Sequence, residues 1–296
     1  MALHGMIEWI LALLGITVLA HLLIHIGLRA RRIRETGTPA CQGLPFRRVV
    51  IRTVRGKRLF GWFIAANGHV PAPTVAVLHG WGGNAEMMLP LAGPLHRAGY
   101  SVLLFDARGH GRSDGDTFAS LPRFAEDLDH VLNWLATRAT VDTRRLYAIG
   151  HSVGAGAVLL AAARRHDLAA VVSIAAFADP ESMMRRFLTS YRIPYPLPGA
   201  YILRYVQRVI GHRFADIAPV NTIARIRCPV LLVHGHDDTT VPVTDAARIH
   251  AGRRDNRVCL QLLSGSHDTF ADPERQATIL LDFLAETGGG APVTRA

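Results

Sequence analysis

The chain is 296 residues long, 49% hydrophobic, and carries a formal net charge of +10 from 33 basic and 23 acidic side chains. That apolar content excludes an intrinsically disordered chain, and the length suits one large core with attachments rather than several domains. Three widely spaced cysteines, Cys41, Cys228 and Cys259, exclude a disulfide framework and a CxxC metal or redox site; the charge is almost all arginine, so its meaning depends on where the arginines lie.

The N-terminus reads as a membrane anchor. Ile7 to Leu28, IEWILALLGITVLAHLLIHIGL, is 22 residues long. As a helix it spans roughly 33 Å, against a hydrocarbon core of roughly 30 Å. Arg29, Arg31, Arg32 and Arg34 follow it, whereas the preceding MALHGM carries no Lys or Arg. The positive-inside rule therefore predicts an outside N-terminus and a cytoplasmic domain, consistent with unpaired cysteines in a reducing compartment. A cleaved signal peptide is the rival, but it requires a basic n-region and a shorter apolar stretch. His21 and His25 stand at i, i+4, a spacing that also suits metal ligation; at the basic end of a lone span they fit the membrane interface. Residues 1–34 are thus the expected anchor and basic flank, and residues 35–45 a linker.

From Phe46 the period changes. Phe46 to Thr53 and Arg58 to Ala65 alternate as an antiparallel pair turning at Arg55 to Lys57. Continuous apolar runs of the buried-strand type follow: Thr74 to Leu78, Tyr100 to Phe105, Leu146 to Ile149, Ala169 to Ala175, Pro229 to Gly235 and Val258 to Leu263. Helical stretches lie between most of them, at Ala85 to Ala98, Leu121 to Arg138, Val153 to Arg165, Thr244 to Ala251 and Pro273 to Glu286. Strands alternating with helices predict an α/β fold, a mostly parallel central sheet with helices on both faces. It should occupy residues 46–286, with a flexible tail over residues 287–296.

In such sheets the working residues gather at the carboxyl ends of strands. At one of these, Gly150-His151-Ser152-Val153-Gly154 must turn from strand to helix almost without spacing. Glycines on both sides would relieve the crowding and leave Ser152 at the apex. A helix N-cap serine between packing glycines would look the same, so the reading depends on partners. A serine hydroxyl needs a histidine base and a carboxylate to orient that base. Asp237 and Asp238 follow the strand ending at Gly235, and His267 lies in the loop before the last helix.

From about residue 46 to 286 the chain resembles the α/β-hydrolases of the serine esterase, lysophospholipase and acyl-peptidase type. The motifs that carry this are HGWGGN (His79 to Asn84), FDARGHGRSDG (Phe105 to Gly115), GHSVG (Gly150 to Gly154), GHDDTTVP (Gly235 to Pro242) and SGSHDTF, which contains His267. The family pattern GxxDxxVP puts the acid at Asp238, with Asp237 as the alternative. The resemblance also implies an oxyanion hole from the backbone N–H of Trp81, beside that of Val153 after the nucleophile. The catalytic set implied is Ser152, His267 and Asp238. A serine at the elbow resembles neither the dehalogenase nor the epoxide-hydrolase branch. HGWGG lacks the lysine and spacing of a phosphate-binding loop, and no metal or organic cofactor is required. Asp106, Arg108 and Ser113 are too close in sequence to converge as a triad and read as a wall of the site. His151 reads as a pocket residue.

Residues 177–227 interrupt the alternation. PESMMRRFLTSY and AYILRYVQRVIG look helical around the proline-rich RIPYPLPG, a small lid over the sheet's carboxyl edge. Its Arg185, Arg186, Arg192, Arg204 and Arg208 fit either a solvated face or contact with an anionic leaflet. The expected function is a membrane-held serine hydrolase acting on carboxylic esters, with lipids or thioesters as possible substrates. A peptidase, an acyltransferase and a non-catalytic module of the same fold are the alternatives. The arginines carry no nucleic-acid recognition motif.

Overall fold

The computed structural model describes residues 2–68, 70–269 and 271–289; most of the expected tail, residues 290–296, lies outside the described residues. Among the described residues eight strands form one sheet: β1 (Arg47–Arg52), β2 (Arg58–Ile64), β3 (Ala72–Leu78), β4 (Ser101–Phe105), β5 (Val141–His151), β6 (Ala170–Ile174), β7 (Val230–Gly235) and β8 (Val258–Leu263). Their order is β1-β2-β4-β3-β5-β6-β7-β8. β1 and β2 pair antiparallel, as do β2 and β4; from β4 through β8 every pairing is parallel. β4, β6 and β7 are buried along their whole length, as strands covered on both faces must be.

Alternate residues of each strand feed two cores. On β3, Ala76 and Leu78 face a cluster that includes α3 (Leu121–Ala136) and α4 (Val153–Ala162). Val75 and Val77 face a second cluster with α2 (Leu89–Arg97) and α10 (Pro273–Thr287). α3 buries Leu121, Phe124, Ala125, Leu128, Val131, Leu132 and Leu135, a 3.6-residue stripe, and Ser120 caps its start by accepting from Arg123 N–H. α4, VGAGAVLLAA, is apolar all round and almost wholly buried. α9 (Val243–Ala251) lies between β7 and β8. β5 begins earlier than the apolar run from Leu146, because the polar stretch Asp142–Arg145 continues the strand at its exposed end.

Between β6 and β7 stand α5 (Pro180–Ser190), α6 (Ala200–Ile210) and two single turns, α7 (Phe214–Ile217) and α8 (Pro219–Thr222). Asp179 caps α5 through Ser182 N–H at 2.7 Å. Gly211, at φ 74°, ends α6 in the left-handed conformation that favours glycine.

α1 (Ala2–Gly27) is long and apolar enough to cross a membrane: His4–Gly27 has a mean hydropathy of 2.3. The segment after it, expected as a linker, is fastened to the domain. Glu86 accepts from the N–H groups of Thr36 (2.7 Å) and Gly37 (2.8 Å), Asn84 donates to Ile33 C=O, and Glu35 is buried.

Candidate active site

Ser152 sits between the end of β5 and the start of α4 at φ 54°, ψ −116°. A non-glycine residue in that region stores strain on the order of 1–3 kcal/mol, which the surroundings must over-determine. They do so by leaving no room on either side. A Cβ on Gly150 would lie 2.2 Å from Gly154 C=O, and one on Gly154 would lie 2.4 Å from His79 C=O. Both glycines are therefore steric requirements of the turn.

The loops at the ends of β7 and β8 bring two further side chains to this point. His267 Nε2 is 3.0 Å from Ser152 Oγ, and His267 Nδ1 is 2.7 Å from Asp238 Oδ2. Asp238 is only 6% exposed, and its other oxygen accepts from Thr240 N–H (2.9 Å) and Val241 N–H (2.7 Å). Buried His234 reaches Val241 C=O at 2.8 Å and Asp238 Oδ2 at 3.2 Å, bracing the same loop. Asp237 is exposed and makes no side-chain hydrogen bond among the described residues. Two adjacent acids that spacing could not separate are thus separated by direction.

The loop after β3 approaches from the opposite side. A Cβ on Gly80 would stand 3.0 Å from Ser152 Cβ, and Trp81 lines the cavity above it. His79 holds this loop. Its Nε2 accepts from Ala107 N–H at 3.0 Å, so Nδ1 carries the proton and donates to Gly80 C=O at 2.6 Å. Complete burial, with His110 nearby, lowers its pKa to about 3, which keeps it neutral. The residues expected as a wall behave as one. Ser113 Oγ donates to Asp106 C=O at 2.6 Å and accepts from Phe60 N–H at 2.8 Å; Asp106 accepts from Ala85 and Arg112 N–H. Arg108 pairs with buried Asp127 at 2.6 Å. Burial and the neighbouring Glu35 carboxyl push Asp106 up to about 8. None of these three side chains meets Ser152.

His151 has a use that its sequence position did not reveal. Its Nε2 lies 2.8 Å from the backbone oxygen of His267 and donates to it, tying the histidine loop to the serine turn. Burial lowers its pKa, which favours this neutral donor. His151, His267 and Asp268 bring ligand atoms within 4.8 Å of one another. Both ring nitrogens of His267 are already engaged with Ser152 and Asp238, so the grouping suits a hydrogen-bond relay rather than a metal.

Above Ser152 is a cavity of about 1110 Å³. The lid supplies Met183, Met184 and Phe187 from α5 and Val206 and Ile210 from α6; Gly27, Leu28, Arg31 and Ile33, at and after the end of α1, complete it. The contacts that bring α1 there were also hidden in the sequence. His21 Nε2 lies 2.5 Å from Tyr201 Oη, and His25 Nε2 lies 2.9 Å from Tyr205 Oη. Partners 180 residues apart leave no local signal.

Comparison with known proteins agrees with this architecture. Residues 69–196 match the family described as serine aminopeptidase, S33. The uncharacterized protein Rv2307c of Mycobacterium tuberculosis is 30% identical over 247 residues, 81% of this chain and 80% of the relative. The uncharacterized protein YfhR of Escherichia coli is 26% identical over 223 residues, 73% of this chain and 72% of its own. Among solved structures, the esterase Pf2001 of Pyrococcus furiosus superposes with a TM-score of 0.71 at 23% identity, covering 87% of this chain and 98% of that one. At that identity the likeness is one of fold.

Proposed function

The chain belongs to the α/β-hydrolase family, and from that membership we propose that it is a membrane-held serine hydrolase cleaving carboxylic esters through an acyl-enzyme. The observation that carries the reading is the continuous relay Ser152–His267–Asp238, with links of 3.0 and 2.7 Å. His267 Nε2 takes the Ser152 proton as Oγ attacks the ester carbonyl, and Asp238 stabilises the resulting imidazolium and fixes the tautomer. Backbone N–H groups of Val153 and Trp81 hold the oxyanion, each donor worth on the order of 10² to 10³ in rate. Collapse breaks the C–O bond, and His267 returns the proton to the departing alcohol. A water then attacks the acyl-serine, loses its proton to His267 and releases the carboxylic acid, restoring Ser152.

α1 serves as the anchor in this reading, and Arg29, Arg31, Arg32 and Arg34 support a cytoplasmic side for the domain under the positive-inside rule. The family description, a serine aminopeptidase, favours peptide cleavage as a second reading; it uses the same relay with an amine as leaving group. The test is a fluorophosphonate probe, which reacts with an activated serine. Wild type should label and Ser152→Ala should not; labelling that survives the substitution refutes the assignment. p-Nitrophenyl butyrate against an aminoacyl p-nitroanilide then separates ester from peptide chemistry.

A further inference from the structure

We propose that the domain rides partly sunk in the bilayer, clamped to its own N-terminal helix, and that the cavity over Ser152 takes the acyl chain of a membrane-resident lipid ester directly from the hydrocarbon phase. This rests on the ester-hydrolase and anchor readings and adds to them the substrate's class and its route.

α1 has two zones. Met6 to Leu19 is exposed on every side. From Ala20 onward one face, His21, Ile24, His25 and Leu28, is partly buried against the domain, while Leu22, Leu23 and Ile26 on the other remain more than half exposed. Those three side chains are as apolar as the free zone, so the lipid-facing surface continues down to Ile26, past the level where the domain begins. Arg29 is the first charged residue after Glu8. With Arg29 at the headgroups, His25 lies about 6 Å and His21 about 12 Å nearer the bilayer centre.

At that depth α1 holds α6. The pairs His21–Tyr201 and His25–Tyr205 repeat one turn apart on both helices, so the helices run parallel in register. The ring of His21 also stacks on Tyr205, centroids 4.3 Å apart and 8° from parallel. Tyrosines with an apolar body and a polar tip favour that interfacial level. The rest of the lid agrees: Leu197 is 82% and Tyr191 65% exposed, with Arg192 and Arg204 exposed beside them. An apolar tip among arginines fits a surface that dips below the headgroups while its long arginine side chains reach up to them.

The same two helices wall the cavity. Val206 and Ile210 of α6 line it, as do Gly27 and Leu28 at the end of α1. A chain passing from bilayer to cavity exchanges one apolar surrounding for another, whereas a route through water would cost about fourfold in population per methylene exposed. A lipid too insoluble to cross water therefore has access, and at about 1110 Å³ the cavity exceeds what a short ester needs.

The test uses full-length protein in phosphatidylcholine vesicles, with monopalmitoylglycerol in the bilayer and p-nitrophenyl butyrate in the water as alternative substrates. The double change His21→Ala, His25→Ala removes two hydrogen bonds that hold the lid, and Leu197→Glu charges its tip. Each should cut monopalmitoylglycerol turnover roughly tenfold while butyrate turnover stays within about twofold. Equal losses on both substrates, or an unchanged ratio, overturn the proposal. A readout independent of activity is bimane on Leu197→Cys in a chain whose native cysteines are serine. Lipids brominated along the acyl chain should quench it, and an unquenched fluorophore also overturns the proposal. If wild type hydrolyses neither ester, the ester reading is what has failed, and quenching then decides the membrane seating by itself.

Discussion

Replacing Asp238 by Asn tests the relay at the point where its geometry is most constrained. The amide keeps a carbonyl oxygen to accept from Thr240 and Val241 N–H, now 2.9 and 2.7 Å from the carboxylate, so the loop keeps its shape. Its NH₂ group then faces His267 Nδ1, 2.7 Å from the present Oδ2, and forces that nitrogen to accept. The proton moves to Nε2, 3.0 Å from Ser152 Oγ, where it blocks the base. Loss of the correct tautomer in a serine triad costs about 10⁴ in kcat, or about 5.4 kcal/mol of barrier. Asp237→Asn changes an exposed side chain with no hydrogen-bond partner among the described residues and should stay within about twofold. The assay is the second-order rate of fluorophosphonate labelling together with kcat on p-nitrophenyl butyrate, with thermal melts to establish that both variants fold. Equal losses for the two substitutions, or a larger loss at Asp237, would rule out Asp238 as the acid that orients His267.

Ser113→Ala separates wall from chemistry: it leaves Phe60 N–H without its acceptor and should cost about 1–3 kcal/mol of stability, seen as a lower melting temperature, while Ser152 still labels at the wild-type rate. A stable but unlabelled variant would give the DARGHGRSD loop a part in the reaction. Acid should destabilise the fold through His79 and His110, whose pKa values burial lowers to about 3 and about 4. Their folded values lie below the unfolded value of about 6.5, so the unfolded chain takes up protons first. Stability from these two groups is complete above about pH 6.5 and is lost as pH falls towards 4, at roughly 2 kcal/mol each by pH 5. Melting temperatures that do not fall between pH 7 and 5 would contradict neutral burial of the two imidazoles.

Much of this protein follows from local sequence because its constraints are local. A strand buried on both faces must be apolar throughout, so β3, β4, β6 and β7 could be read directly, and a strand turning into a helix at Ser152 demands Gly150 and Gly154 within two residues. The long apolar helix α1 and the candidate residues Ser152, Asp238 and His267 were legible for similar reasons, as a length and as motifs at strand ends.

Other features belong to the tertiary structure alone. That His267 meets Asp238 and turns away from Asp237 depends on which neighbour points inward once the loop closes on Thr240 and Val241. That Arg34 to Pro45 is strapped down, not loose, depends on a carboxylate at Glu86 some fifty residues on. The pairing of His21 and His25 with Tyr201 and Tyr205 spans 180 residues. The fold's periodicity, the strained serine turn and the apolar helix are all set by neighbours along the chain. How that helix meets the lid and the cavity follows from folding instead, because contacts between distant segments form only when the sheet between them has closed.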